Sequence, residues 1–386
     1  MKRSTDRILT THVGSLPRPA DLLDMMAAKD QGRGFDEAAY ERRLRGAVGE
    51  IVKKQVELGV DIIDDGEYSK PSFVTYMNQR LGGFEVSKGT AQPSHWLKSR
   101  EGLSFPEFYG SAGLGARQPD NMICTAPIVY KGQALLKRDI DNLKAALNGV
   151  SPQEVFMPSI SPSNLEERHK NAYYKSDEEF LFAFAEAMRE EYMAIVGAGF
   201  LLQIDDPRLV SHYNLNPGLS IAECRQWAEP RIAALNHALR DIAPEKIRFH
   251  TCYGINMGPR IHDMELKDCV DLMLKIRAGA YSFEAANPRH EHEWKVWGSV
   301  KLPEGKSLIP GVISHATILV EHPELVAERI GRYASVVGRE NVIAGSDCGF
   351  ATFAGSKEVH PTIVWAKLKA LSEGAAIASK QLWGRP

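Results

Sequence analysis

Short apolar runs alternate with amphipathic segments along most of this chain, most regularly after residue 154. Continuous apolar runs are typical of strands buried on both faces, and apolar residues spaced three and four apart are typical of helices. The strands predicted in this way fall at residues 8–15, 60–67, 123–130, 155–159, 200–206, 247–252, 281–284, 308–313 and 342–345. The predicted helices fall at residues 35–58, 134–147, 177–196, 221–242, 266–278, 321–337 and 363–380.

Strands that alternate with helices pair in parallel through right-handed crossovers. The pattern offers one strand more than the eight of a closed barrel, and residues 123–130 are the most dispensable because they precede the regular alternation. The predicted fold is therefore α/β: a single (β/α)8 TIM barrel over residues 1–386, with an irregular insertion of loops and hairpins at about residues 70–122. A doubly wound open sheet is the alternative, but no glycine-rich phosphate loop follows a strand.

Composition limits the function. The 386 residues are 44% hydrophobic and 25% charged, as in ordinary globular proteins. A net charge of −2 gives no electrostatic reason to expect nucleic acid or an anionic membrane as a partner, and no apolar run approaches the roughly 20 residues of a membrane span. The five cysteines are scattered and odd in number, which argues against a disulfide framework and favours a cytoplasmic protein. The oligomeric state is not indicated.

Polar residues interrupt or end the apolar strands. They are Ser15, Glu67, Asp205, Asp206, His250, Cys252, Glu284, Asp347 and Cys348. In a parallel barrel the carboxyl ends of the strands form one face, and this face carries the chemistry. We therefore expect side chains from six strands to meet there.

His250 and Cys252 alternate on one strand, so an imidazole and a thiol project to the same side. Zn²⁺ prefers these donors, and Glu284 and Cys348 offer a carboxylate and a second thiol at later strand ends. The hypothesis is that these four residues hold one zinc ion that activates a thiol substrate. A filled set of four ligands is also typical of structural zinc, and a lone buried Cys252 could simply pack in the core.

Other candidates are weighed against structural interpretations. Asp205 and Asp206 face opposite ways on a strand, and we assign Asp205 to the barrel mouth as an acceptor for a substrate amine. Glu67 is a similar candidate, and both could instead cap a loop. His315 follows a strand and is a candidate general acid. His12 is interpreted as a satisfied core histidine.

Several motifs together resemble one family. Residues 10–17 read Thr-Thr-His-Val-Gly-Ser-Leu-Pro, residues 65–67 read Asp-Gly-Glu, and residues 203–207 read Gln-Ile-Asp-Asp-Pro. With His250-Thr-Cys252, Glu284 and residues 347–349, this ordered set resembles the catalytic C-terminal barrel of the cobalamin-independent methionine synthases. The resemblance implies that Gly14, Ser15, Glu67 and Asp205 bind an amino-acid substrate, and that His250, Cys252, Glu284 and Cys348 bind zinc.

The chain also departs from that family. Residues 157–164 lack the tryptophan that stacks on the folate, and His315 is one position from the family's proton-shuttling histidine. These features resemble the short single-barrel branch that includes epoxyalkane:coenzyme M transferases.

The expected function is a zinc-dependent transfer of a methyl or other alkyl group to a small thiol such as homocysteine. The alternatives are addition of a thiol to an epoxide, a structural zinc or thiol-binding protein without turnover, and a metal-free decarboxylase, since the uroporphyrinogen decarboxylases share a related barrel.

Overall fold

A computed structural model describes residues 1–32, 34–86, 95–111, 122–254, 257–356 and 359–384. The central strands are β1 Leu9–Thr10, β2 Ile62–Ile63, β3 Glu154–Ile160, β4 Leu201–Asp205, β5 Ile247–Thr251, β6 Ala280–Phe283, β7 Ser307–Ile313 and β8 Ile343–Ser346. They pair in parallel in the order β1-β8-β7-β6-β5-β4-β3-β2. A parallel bridge between Thr11 and Ile62 joins the two end strands. The sheet closes in this way, and the predicted α/β barrel is confirmed.

The strand register brings chemically useful residues to the same level. Ile160 of β3 lies beside Asp205 of β4, and Asp205 lies beside His250 of β5. His250 in turn lies beside Ser282 of β6. The carboxyl ends of neighbouring strands therefore present their polar residues at one mouth, as parallel pairing requires.

Outside the insertion, ten α-helices surround the barrel, counted over the described ranges. They are Ala20–Asp30, Glu37–Glu57, Gln133–Ala146, Pro162–Arg168, Asp177–Gly197, Arg208–Leu215, Ile221–Ala238, Val270–Leu274, Pro323–Val337 and Pro361–Trp383. Tight 3₁₀ turns occur at Thr75–Gln79, His95–Lys98, Pro244–Lys246, Leu266–Asp268, Glu291–Gly298 and Arg339–Asn341. Ser176 caps its helix by accepting from the Glu179 amide, as its position in the sequence predicts.

The helix predicted at residues 266–278 is wrong in extent. Its α-helical part ends at Leu274 because the Asn236 side chain binds the next backbone groups. The Asn236 amide donates to the Lys275 carbonyl at 2.9 Å and accepts from the Arg277 amide at 2.8 Å. The helices Pro162–Arg168 and Arg208–Leu215 were not predicted, because two turns are too short to show a clear apolar period.

The insertion forms its own small sheet. Strand Leu81–Val86 pairs antiparallel with Met122–Tyr130, which pairs parallel with His169–Asn171. Residues 123–130 thus lie outside the barrel, as predicted. Two short helices, Arg100–Ser104 and Pro106–Ser111, were expected to be loops; residues 87–94 and 112–121 of the insertion lie outside the described residues.

The barrel interior is packed and contains the buried cation Arg248. Arg248 is fully buried there, with its guanidinium carbon 4.0 Å from the ring centre of Phe156. Its terminal nitrogens donate to Thr11 Oγ1 at 2.8 Å and to the His12 carbonyl at 2.7 Å. Arg248 therefore fixes the chain just after β1, next to the residues that form the mouth. In the part of the chain that the structure describes, no helix is long and apolar enough to cross a membrane.

Candidate active site at the carboxyl ends of the strands

A cleft opens at the carboxyl ends of the strands. Its lining residues are Val13, Ser15, Glu67, Phe73, Asp205, Pro207, His250, Cys252, Gly254, Cys348, Gly349 and Thr352. The lining includes six of the nine site residues predicted from the sequence. Gly14, Glu284 and His315 lie outside it, and their positions are described below.

Three predicted metal ligands lie together at one side of the cleft. Donor atoms of His250, Cys252 and Cys348 all lie within 4.8 Å of one another, and all three residues are buried. The two sulfur atoms are 3.5 Å apart. Two thiolates bound to one tetrahedral zinc ion lie about 3.8 Å apart, given Zn–S bonds of about 2.3 Å. The pair therefore fits a shared zinc ion with little movement.

The imidazole of His250 is oriented for the same role. Its Nδ1 lies 3.1 Å from Ser282 Oγ, while its Nε2 is buried with no hydrogen-bond partner among the described residues. A buried ring nitrogen without a partner is costly unless a ligand binds it. A hydrogen bond at one ring nitrogen that leaves the other for metal is the usual arrangement of a ligating histidine. The donor set thus fits zinc.

The two thiols share a proton in this arrangement. The hydrogen bond from Cys348 lowers the pKa of Cys252 to about 6, although burial opposes the shift. The same contact and burial raise the pKa of Cys348 well above its usual value. One sulfur is therefore readily a thiolate, which is the form that binds metal.

Glu284 does not join these three residues. Its carboxylate oxygens accept from Arg260 Nη1 at 2.6 Å and Nη2 at 2.9 Å. They also accept from the Tyr253 amide at 3.0 Å and from Asn287 Nδ2 at 2.9 Å. Burial raises the pKa of Glu284, but Arg260 outweighs burial and the pKa falls to about 2. The carboxylate would have to leave these donors before it could bind metal beside Cys252.

His315 lies with Glu284 and Asp347 in a second buried group, in which one potential ligand atom from each lies within 4.8 Å of the others. Asp347 Oδ1 accepts from the Ala285 and Ala286 amides at 2.7 Å each. Both ring nitrogens of His315 lack a hydrogen-bond partner among the described residues, and burial lowers its pKa to about 4. The structure therefore places His315 behind the cleft wall as a neutral imidazole.

Two carboxylates, Glu67 and Asp205, also line the cleft. Glu67 projects from a backbone with a positive φ of 56°, which non-glycine residues rarely adopt. Arg18 stabilises this turn by donating to the carbonyls of Glu67 at 2.7 Å and Lys70 at 2.8 Å. Lys70 Nζ lies 3.2 Å from Glu67 Oε2 and donates to the Pro158 carbonyl at 2.7 Å. Glu67 is thus held at a fixed position.

Gly14 lies directly behind Glu67. Its φ is +133°, and a Cβ atom there would meet Pro158 Cγ at 2.7 Å and Glu67 Oε1 at 2.9 Å. Only glycine leaves room for this carboxylate. The Gly14 amide donates to His12 Nδ1 at 3.1 Å, and His12 Nε2 lies 2.7 Å from Gln55 Oε1. His12 is therefore a satisfied core histidine, as expected.

The adjacent aspartates have different surroundings. Asp205 lines the cleft and accepts from Gln203 Nε2 at 2.8 Å, and burial raises its pKa to about 7. Asp206 turns away and accepts from Ser163 Oγ at 2.7 Å and from the Arg208 amide at 3.1 Å. Asp205 is therefore the aspartate of this pair that can meet a substrate.

Sequence reasoning missed three cations that arrange the site: Arg18, Lys70 and Arg260. Lys70 follows Glu67 by three residues, a spacing that could have suggested the ion pair. Arg18 and Arg260 lie in irregular segments, where no periodic pattern predicts which carboxylate or carbonyl they reach.

Known proteins resemble this chain in sequence and in fold. Residues 8–106 match the family model described as the catalytic domain of cobalamin-independent synthase. A methionine synthase of Thermococcus kodakarensis is 24% identical over 378 residues, which cover 97% of this chain and 94% of that protein. The chain is similar to methionine synthases over nearly its whole length, and residues 8–106 are similar to the cobalamin-independent family in particular. A methionine synthase of Sulfurisphaera tokodaii is likewise 24% identical, over 97% of this chain and 93% of that protein.

Solved structures of methionine synthases share the fold. A B12-independent methionine synthase from Shewanella, solved with selenomethionine, superposes with a TM-score of 0.74 at 21% identity, over 98% of this chain and 100% of that one. A putative B12-independent methionine synthase from Listeria monocytogenes gives a TM-score of 0.66 at 19% identity over the same shares. The barrel architecture is thus common to these chains.

Proposed function

We propose that this chain is a zinc-dependent transferase that moves a methyl group to the sulfur of a small aminothiol such as homocysteine. The observation that carries the proposal is that one cleft is lined both by soft metal donors and by carboxylates. His250, Cys252 and Cys348 are the donors, and Glu67 and Asp205 are the carboxylates.

The metal is proposed to be held by His250, Cys252 and Cys348, with Glu284 as a fourth ligand only if it leaves Arg260. When bound, zinc would supply a Lewis acid that favours the thiolate form of a substrate sulfur at neutral pH. The three residues border the cleft, so a sulfur placed there reaches the same region. A closed structural site would lie away from such a cleft.

The carboxylates select the rest of the substrate. Among the described residues that line the cleft, none is lysine or arginine, and Glu67 and Asp205 are both buried carboxylates. Such a lining binds an ammonium group by charge-assisted hydrogen bonds. Ser15 adds a hydroxyl, and Lys70 and Gln203 keep the two carboxylates in place. An aminothiol would therefore be bound at both ends, with its sulfur near Cys252.

The charge of the cleft disfavours the epoxide alternative. Coenzyme M carries a sulfonate two carbons from its thiol, and this anion would lie next to Glu67 and Asp205, where the nearby cation Lys70 is already paired with Glu67. Like charges in a buried cleft repel strongly. The methionine synthases to which this chain is similar support methyl transfer to homocysteine instead.

The proposal is tested by X-ray absorption at the zinc edge and by product analysis. Purified protein is expected to contain one zinc per chain, and added homocysteine should add one sulfur to the metal's ligands. Coenzyme M should not do so at the same concentration. Mass spectrometry of mixtures with several methyl donors should then detect methionine. Protein that folds but takes up no zinc would refute the proposal, as would unchanged zinc ligands in the presence of homocysteine.

A further inference from the structure

Beside the cleft lies a group of basic side chains, two of them guanidinium groups, that the proposed chemistry does not use. It consists of Arg168, the last residue of helix Pro162–Arg168, Arg208, the first residue of helix Arg208–Leu215, and His95 of the insertion. We call this group the cationic margin.

The carboxylates next to Arg168 are engaged elsewhere. Glu167 pairs with Arg208 Nε and lies 3.2 Å from His212 Nδ1. Burial raises the pKa of Glu167, but Arg208 and His212 outweigh burial and lower the pKa to about 2. Glu166 accepts from Arg231 Nη2 at 2.7 Å. Neither carboxylate is left for Arg168.

Arg168 itself has no counter-ion among the described residues. Its Nε is buried without a hydrogen-bond partner, although the side chain as a whole keeps some exposure. Burial and the positive charge of Arg208 lower its pKa to about 9. His95 lies near the same two arginines. Burial is the largest cause that lowers its pKa, to about 3, and the positive charges of Arg208 and Arg168 add to the shift. The margin thus holds two guanidinium charges against the single carboxylate of Glu167.

The cationic margin adjoins the cleft. Pro207, the residue before Arg208, lines the cleft. Trp96, the residue after His95, packs over Gly254, which also lines it; a Cβ on Gly254 would lie 3.3 Å from the Trp96 ring. The residues next to Arg208 and His95 in the sequence thus border the cleft.

We infer that Arg168 and Arg208 form a binding site for an oxyanion, a carboxylate or phosphate group, on the alkyl donor. A guanidinium presents a planar fork that matches both groups and is stabilised by them when it is desolvated. The acidic cleft suits the ammonium end of the thiol substrate, so an anionic second substrate is directed to the margin. Assigning the anion to the alkyl donor rests on the proposed function, but the anion site itself does not.

The test measures affinity for inorganic phosphate by calorimetry at constant ionic strength, with glutarate in a second series. Arg168→Gln removes a guanidinium group that forms no ion pair with a carboxylate of the described residues, so the fold should persist. Arg45→Gln is the matched control, because Arg45 is an exposed arginine of helix Glu37–Glu57. We expect R168Q to weaken binding by about tenfold or more, R168K by less, and R45Q not at all.

A second readout separates binding from support of the fold. If Arg168 serves an anion, R168Q should not lower the midpoint of thermal unfolding without phosphate, and it should reduce the rise in midpoint that phosphate causes. Tighter binding of glutarate than of phosphate would identify the donor's group as a carboxylate, and the reverse order as a phosphate.

Three results would overturn the inference: no saturable binding of either anion to the wild-type protein, equal affinity in R168Q and R45Q, or a lower midpoint in R168Q with anion affinity unchanged. Zinc analysis of the same samples keeps the two proposals apart. Protein without zinc that binds phosphate through Arg168 would refute the thiol chemistry and leave the anion site standing.

Discussion

Arg260 and Glu284 form a buried bidentate ion pair in which both terminal nitrogens of Arg260 reach a different carboxylate oxygen, at 2.6 and 2.9 Å. Arg260 also binds Asp263 through Nε at 3.0 Å, and its backbone has a positive φ of 61°. The pair separates the carboxylate of Glu284 from His250, Cys252 and Cys348. Under the proposed function, a metal held by these three residues would keep a position for a substrate sulfur.

The first prediction concerns Glu284→Gln. Because the carboxylate is held by Arg260 rather than by the metal donors, we expect the zinc-to-protein ratio of the folded variant to equal that of the wild type. The free energy of unfolding should fall by about 1–3 kcal/mol, since Arg260 would lose its bidentate partner and, among the described residues, keep only Asp263 as a charged partner. Metal analysis and urea unfolding measure the two effects. Loss of zinc from well-folded E284Q would show that Glu284 is a ligand.

The second prediction concerns the thiols. Cys348→Ser should lose most of its zinc after dialysis, because serine replaces one of three clustered soft donors. Cys224→Ser is the matched control: Cys224 is also buried, but it lies on helix Ile221–Ala238. It should keep the wild-type zinc content. Equal zinc content in both variants would contradict the assignment of Cys348.

The third prediction concerns substrate selection by the carboxylates of the cleft. Glu67→Gln should weaken homocysteine binding by about tenfold or more, because a charge-assisted hydrogen bond to the ammonium group is lost. Binding of a thiol of similar length without the amine should change little. Competition against homocysteine, followed at the zinc edge, measures both affinities. A similar loss for both thiols would mean that Glu67 does not contact the amine.

The fourth prediction concerns Gly14→Ala. The new Cβ would collide with Pro158 Cγ and Glu67 Oε1, and the positive φ of Gly14 adds backbone strain. We expect a loss of about 1–3 kcal/mol in stability and weaker homocysteine binding as Glu67 moves. Gly49→Ala is the control, since nothing lies within 4 Å of its Cβ position in helix Glu37–Glu57. It should raise stability by up to about 1 kcal/mol.

The fifth prediction is a pH dependence of stability. His290 lies between Glu293 Oε2 at 2.8 Å and Asp263 Oδ2 at 3.2 Å. Burial lowers its pKa, but these carboxylates outweigh burial and raise it from 6.5 to about 9. A raised folded-state pKa stabilises the fold fully below pH about 6.5, and this contribution, at most about 3 kcal/mol, disappears as the pH rises through about 9.

His290→Gln isolates this contribution. The difference in unfolding free energy between wild type and H290Q should be largest near pH 6 and smaller by pH 10, as measured by urea unfolding at each pH. A difference that does not change with pH would mean that His290 is neutral in the folded protein.

The sequence by itself determined the barrel fold and the end of the barrel at which the candidate site residues lie. Alternating apolar strands and amphipathic helices can bury their apolar faces only in a parallel, helix-covered sheet, and this sheet carries His250 and Cys252 to its carboxyl edge. Because alternate strand residues share a side, the candidate donors could be named from their spacing alone.

The tertiary structure alone decided which polar groups meet. Arg260 pairs with Glu284, and Lys70 pairs with Glu67. These pairs form because a buried charge is costly without an opposite charge beside it. Both cations lie in irregular segments, where no periodic pattern predicts the pairing. Glu167 pairs with Arg208, and Arg168 has no counter-ion within the described ranges. Such pairings depend on distances between segments far apart in the chain, which local patterns of hydrophobic and polar residues do not contain.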